Sequence, residues 1–466
     1  MARLNTLNLN TAPRTHEGTP ARHISPEMQL RRSVLACLLW ESQFYEDGVE
    51  IAGRIAELVP KVAAEKVAAL AIEAREQMKL RHAPLLLVRE MARHKTHRAP
   101  VSETLARVIQ RADELAEFVA IYWKDGRVPL SGQVKKGLAG AFPKFDEYQL
   151  AKYDRGGPIK LRDVLFLCHA KPRDKAQTEV WKNLISGTLT TPDTWEVALS
   201  SLGASGTLAR SGADKREAWE RLLREQKLGA LALLRNLRNM REAGVSDKLV
   251  VRALGEMKTD RVLPFRFIAA ARYAPQHEPE LEQAMFRSLK NQTPLPGTTA
   301  LVVDTSPSMW MARLSRNSDM DRFEAAAGLA ILLRETAERV NVYAFNEKAY
   351  EVPPRRGFAL RDALAATKNN WSRGGLAVAA ANRDGYDRII VITDGQWHFS
   401  DTTTVQGYGE GDPQTVAPAP LTKQAYMINV ASYKNGVGYG KWMNIDGWSD
   451  SVIEYIRALE QTKWIN

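Results

Sequence analysis

The stretch "TTALVVDTSPSMW", residues 298–310, decides how the chain is read. Its centre, Ala300 to Val303, has the apolar, β-branched make-up of a buried strand, and the run stops on Asp304. Ser306 and Ser308 follow at two-residue spacing, so three oxygen-bearing side chains emerge together at the end of one strand. Carboxylate and hydroxyl oxygens are the donors that a hard divalent cation takes. The same residues also suit a turn and a helix N-cap, where Asp and Ser accept orphan backbone N–H groups. On these residues alone both readings stay open.

Downstream, "VNVYAF" (340–345), "RIIVIT" (388–393) and "AYMINV" (425–430) are near-continuous apolar runs that predict buried parallel strands. "RFEAAAGLAILLRETAERV" (322–340) predicts a helix between two of them. That alternation predicts a doubly wound α/β sheet, whose ligands bind at the carboxyl ends of strands beside a topological switch point. Asp394, in "VITDG", also ends a strand, so the two carboxylates can meet at one edge. Residues 399–420, "FSDTTTVQGYGEGDPQTVAPAP", predict a mobile surface loop.

Upstream, residues 28 to 275 are helical almost throughout, as in "VSETLARVIQRADELAEFVAIYW" (101–123) and "WERLLREQKLGALALLRNLRNMREAG" (219–244). Many short helices joined by Pro, Gly or polar breaks predict an α-solenoid of stacked helix pairs, although no fixed-period repeat is present. Residues 1–27 are rich in Thr, Pro, Asn and Arg and read as an extended arm. The expected organisation is therefore an arm over 1–27, a helical module over 28–285 and an α/β domain over 286–466.

Composition narrows the function. At 466 residues and 44% apolar content the chain can build two or three cores, and 65 Lys and Arg against 54 acidic residues give a net charge of +11. Polyanions such as nucleic acid are the partners that this charge favours. Two cysteines, Cys37 and Cys168, are too few for a disulfide framework or a structural zinc site, which points to a reducing, cytoplasmic setting. No run of eighteen apolar residues and no apolar leader is found, so neither a membrane span nor a secretory signal is expected. Phosphate-loop, HExxH, GxSxG and CxxC patterns are all missing, and no nucleophile and base pair is evident, so a non-enzyme is expected.

The positive charge is gathered in the helical part. "REMARHKTHRAP" (89–100) is followed by Lys135, Lys136 and Lys144 in "SGQVKKGLAGAFPKF". Arg162, His169, Lys171 and Arg173 lie in "KYDRGGPIKLRDVLFLCHAKPRDK" (152–175). A solvated helix face mixes signs, whereas these clusters are weakly countered, which favours a phosphate-binding surface.

The α/β part resembles the von Willebrand factor A fold. Asp304, Ser306 and Ser308 match the first loop of that fold's metal-ion-dependent adhesion site, and Asp394 matches the third loop. The resemblance implies a divalent cation, Mg²⁺, but in "SRGGLAVAAAN" Leu376 stands where the second loop supplies a threonine. Water or Ser372 would have to replace that lost oxygen. Five stretches in order resemble the Ro-type RNA-binding proteins over about residues 28–460: "RGGPIKLRDVLFLCHAKP", "LGALALLRNLRNM", "RVLPFRFIAAARY", "LVVDTSPSM" and "RIIVITDGQW". That resemblance implies a TROVE module, a ring of HEAT-like helical repeats closed by the A-type domain. It further implies Y-type small noncoding RNA on a basic outer surface, single-stranded 3′ ends of misfolded RNAs in a central hole, a role in RNA quality control or processing, and an exoribonuclease as partner. His169 and Lys171 in "CHAKP" match the family's RNA-contacting region, with Lys135, Lys136, Lys144, Arg162 and Arg173 as nearby basic positions. Arg235 and Asn236 match a further motif that suits packing as well as contact. The long arm suggests a bacterial or phage relative. The competing function is a metal-dependent protein-adhesion module with incidental charge, and the distance in sequence between the basic clusters and Asp304 favours RNA.

Overall fold

A computed structural model describes residues 25–35, 48–76, 80–154, 157–191, 194–204, 212–260, 262, 264–290, 293–311, 313, 320–346, 348–367, 374–395, 420–422, 424–431, 442–446, 452–453, 456–457 and 460. The arm over 1–24, Cys37, Ser372 and nearly all of the loop expected over 399–420 lie outside the described residues. The chain divides into two compact units, Val49–Asn291 and, together, Met1–Gly48 with Gln292–Asn466. It is mostly helical and carries one six-stranded mixed sheet.

The sheet contains β1 (Leu295–Asp304), β2 (Ala337–Phe345), β3 (Ala349–Val352), β4 (Arg388–Thr393), β5 (Gln424–Asn429) and β6 (Met443–Asp446), in the order β3-β2-β1-β4-β5-β6. All neighbours are parallel except β3, which pairs antiparallel with β2 through Tyr343 opposite Glu351. The four strands expected from apolar runs are present. The two extra strands, β3 and β6, have four residues each, too short to show a period in sequence. Sequence order reverses between β1 and β4, so the switch point lies there. Val303 sits opposite Ile392, which sets Asp304 level with Thr393 and one residue short of Asp394.

Helix α1 (Pro26–Leu35) belongs to this unit and packs on β6 with Leu30 and Val34 buried, whereas the sequence placed residues from 28 onward in the helical module. The helices that follow it in the other unit are α2 (Gly48–Leu58), α3 (Ala64–Glu76), α4 (His82–Arg93), α5 (Val101–Val108), α6 (Asp113–Tyr122), α7 (Gly132–Ala141), α8 (Glu147–Tyr153), α9 (Leu161–Cys168), α10 (Lys175–Ser186), α11 (Trp195–Ala204), α12 (Gly212–Arg224), α13 (Ala230–Glu242), α14 (Asp247–Glu256), α15 (Pro264–Tyr273) and α16 (Glu278–Leu289). Back in the sheet unit come α17 (Pro307–Met311), α18 (Arg322–Thr336), α19 (Gly357–Ala365) and α20 (Gly374–Asp384).

Helix α20 covers one sheet face: Ala377, Val378 and Ala381 pack with Ala300, Val302, Ile389, Val391 and Met427. Helix α18 packs on β1, β2 and β4 and is buried on nearly every side, which its Ala-, Gly- and Leu-rich sequence allows. Its start is fixed by a capping box. The Asp321 carboxylate accepts the Glu324 N–H at 2.8 Å, and the Glu324 carboxylate accepts the Asp321 N–H at 3.1 Å.

In the helical unit, several helices pack on their second neighbour: α5 on α7 and α7 on α9, then α12 on α14, α14 on α16 and α13 on α15. Stacked helix pairs make this pattern. The single apolar period over 101–123 becomes two helices, and Glu114 is the reason. Its fully buried carboxylate accepts the backbone N–H groups of Gln110 and Arg111 at 2.8 and 3.0 Å and pairs with Arg75 at 2.7 Å. Those backbone donors therefore leave the helical ladder. Local caps set α7, α8 and α10 where no clean period exists, with Ser131, Asp146 and Asp174 accepting from the N–H groups of Val134, Gln149 and Gln177. The α5–α7 crossing is close enough that a Cβ on Gly137 would lie 2.8 Å from the Leu105 Cβ and 2.9 Å from the Ser102 carbonyl oxygen.

Candidate functional site

Among the described residues, polar side chains gather at one place in each unit. In the helical unit a cavity of about 1260 Å³ opens among α6, α8, α11, α13 and the loops beside them. Its aromatic lining is Tyr148 and Tyr153 from α8 and Trp195 from the start of α11. Tyr148 is half exposed, and Trp195 is held in place by stacking on buried Trp219, 5.9 Å between ring centres and 22° apart. Cations stand over these rings: the Arg111 guanidinium is 4.8 Å from the Tyr153 centre, and the Lys152 ammonium is 5.8 and 5.7 Å from Tyr148 and Tyr153.

The cavity is lined by charges of both signs, and its arginines differ in role. Arg81 and Arg111 are tied to Asp113, at 2.5 and 2.8 Å, and serve the fold. Arg235 and Lys258 also line the cavity, and among the described residues no carboxylate pairs with either. Arg266, on the neighbouring α15, is held below the ordinary arginine value by burial first and then by repulsion from Arg235.

In the sheet unit, the crevice between the ends of β1 and β4 is sealed. Asp304, Ser306 and Asp394 are at most 1% exposed. The Asp304 carboxylate accepts the Ser306 N–H at 2.9 Å and the Thr393 hydroxyl at 2.7 Å, while the Ser306 and Ser308 hydroxyl oxygens lie 3.3 Å apart. Burial, and then the charge of Asp394, push the Asp304 carboxyl up to about 7. The first residue of α18, Arg322, is 2% exposed and places its Nη1 3.2 Å from the Asp394 carboxylate. Leu376 sits in the first turn of α20 and brings no oxygen. The oxygens expected for a cation are therefore together, but one carboxylate already has a cationic partner from the chain, so this donor set does not fit a divalent ion.

The sequence profile of the TROVE domain family matches residues 187–327. The solved structure of the Deinococcus radiodurans Ro (RSR) protein superposes with a TM-score of 0.60 at 19% identity, covering 93% of this chain and 99% of that one. No curated protein matches the chain. The chain shares the fold of that Ro protein. The TROVE match takes in three of the five stretches noted above, those within 228–309, and runs from the helical unit into the sheet unit.

Within this fold the seven basic positions singled out from sequence all lie outside the cavity. Lys135 and Lys136 are on α7, Arg162 is on α9, which packs on α7, and His169, Lys171 and Arg173 follow α9. All but half-buried Lys135 are exposed. Lys144 is engaged structurally, since its ammonium donates to the carbonyls of Ala106 and, at 3.1 Å, Ile109, closing the C-terminal end of α5. His169 is exposed and in the left-handed conformation, φ 54°, at the end of α9. The Arg235–Asn236 motif splits in role: Asn236 is buried and donates to the Ala232 carbonyl at 2.8 Å, while Arg235 reaches the cavity. Tyr148, Trp195 and Lys258 were not singled out from sequence, because they fall in three separate segments with no shared spacing. The usable signal for Arg322 was a charge opening an otherwise apolar helix.

Proposed function

We propose that the chain is an RNA-binding ribonucleoprotein scaffold that takes a single-stranded 3′ end in the helical cavity and a Y-type structured RNA on the basic positions of α7, α9 and the segment after α9. The TROVE family is known for RNA binding, and the observation that carries the reading for this chain is one cavity that holds aromatic faces together with Arg235 and Lys258, which no carboxylate pairs among the described residues. Single strands are held that way without base identity, by stacking on rings and by cations along the phosphates. A ring of HEAT-like repeats closed by a von Willebrand factor A-like domain, work in RNA quality control alongside an exoribonuclease, and action by binding rather than catalysis complete the proposal.

The test is the affinity of the full chain for a structured RNA with a single-stranded 3′ tail, measured across salt. Log affinity is expected to fall linearly with log salt, by roughly 0.7 per phosphate contact for the tail. Trp195→Ala is expected to weaken binding of the tailed RNA by about 1–3 kcal/mol and to leave a blunt duplex unaffected. A flat salt dependence would overturn the RNA reading, and equal loss on tailed and blunt RNA would remove the cavity from it.

A further inference from the structure

Two carboxylates with no exposed surface, Asp304 and Asp394, stand at the ends of adjacent strands. Charge buried at that depth must be matched by another charge or by protons, because hydration is gone. A hard cation is one way to match it. The chain supplies another: Arg322 is buried to 2% exposure and its Nη1 is 3.2 Å from the Asp394 carboxylate oxygen.

The location of Arg322 makes this pairing informative. It is the first residue of α18, where the aligned peptide dipoles present their positive end, and a cation there is disfavoured. Burial disfavours it again. A guanidinium held in a place unfavourable on both counts needs a specific anionic partner, and Asp394 is that partner. Asp304, for its part, has both carboxylate oxygens engaged by donors of the chain, the Ser306 N–H and the Thr393 hydroxyl. Leu376, which stands where the A-type fold supplies a threonine, brings no oxygen. A divalent ion entering between the carboxylates would meet a fixed positive charge at Asp394, with a repulsion twice that between unit charges.

We propose that Arg322 is the resident cation of this crevice, so that Asp394 has its counter-charge from within the chain, Asp304 is held by donors of the chain, and the site takes no Mg²⁺. The crevice is then a structural clasp joining the start of α18 to the end of β4. It cannot capture an acidic partner through a bridging metal, which removes the basis of the adhesion reading.

The experiment uses the full chain, with Mg²⁺ as the stabilising ion and Mn²⁺ as a paramagnetic probe. Wild type is expected to melt at the same temperature in EDTA and in millimolar MgCl₂, and to show no bound Mn²⁺ that disappears in Asp304→Ala. Arg322→Ser opens the space and exposes the Asp394 charge. It is expected to melt lower in EDTA and to recover saturably with Mg²⁺, since an ion that binds only the folded state adds stability by mass action. Adding Asp304→Ala to Arg322→Ser should abolish that recovery. A saturable Mg²⁺-dependent rise in wild type that is lost in Asp304→Ala overturns the proposal, and so does an Arg322→Ser variant that folds and ignores Mg²⁺. If Arg322→Ser fails to fold, the wild-type arm decides alone.

Discussion

The helical cavity and the strand-end crevice each gather charged side chains, yet they are opposites. Arg235 in the cavity is exposed with no carboxylate paired to it among the described residues, whereas Arg322 in the crevice is sealed and paired at 3.2 Å. Water can hydrate the first, so the fold does not have to match its charge, and it remains available to a ligand. No water reaches the second, so the fold itself has to supply the counter-charge. Charge left open at a surface serves binding, and charge that is buried serves the fold.

Matched substitutions at the two arginines should give the largest contrast. In EDTA, Arg322→Met leaves the buried Asp394 charge without its partner and is expected to cost about 3–5 kcal/mol of stability by chemical denaturation. Arg235→Met should stay within about 0.5 kcal/mol in the same measurement. Its effect should instead appear as weaker binding of a single-stranded RNA tail. Equal stability losses at the two positions would erase the distinction.

The crevice should also respond to pH. Burial and Asp394 raise the Asp304 carboxyl from 3.8 to about 7, so the folded chain holds that proton more tightly than the unfolded chain does. Its contribution to stability is complete below the unfolded value and is lost as pH rises through the folded one. Relative to Asp304→Asn in EDTA, the urea midpoint of wild type is therefore expected to fall between about pH 4 and about pH 8. Parallel curves for the two proteins would place the proton elsewhere.

The smallest effect is expected at His169, which is exposed and close to the basic positions yet conformationally constrained. A left-handed conformation without glycine is strained, so His169→Gly should raise stability by less than about 1 kcal/mol. Affinity for structured RNA should fall in the same variant if the imidazole makes the contact that the family resemblance implies. Unchanged affinity would leave His169 a helix terminus and nothing more.

The sequence by itself determined the two architectures. Short, β-branched apolar runs such as "RIIVIT" suit strands buried on both faces, and Arg388–Thr393 is indeed β4 with every residue buried. Apolar residues recurring on one helical face made the first half helical, and the carboxylates at the ends of "TALVVD" and "RIIVIT" were legible as neighbours because parallel strands align their ends. Tertiary structure alone decided what those carboxylates meet. Arg322 lies 72 residues from Asp394 in the chain, and only the packing of α18 onto β4 brings the two together. Likewise Tyr148, Trp195 and Arg235 sit on three helices that the fold gathers around one cavity, and Glu114 splits an unbroken helical period because buried Arg75 and two backbone donors need its carboxylate. Periodicity is a local property that each segment carries with it. The match between a buried charge and its partner depends on distances across the fold, and no window of sequence contains them.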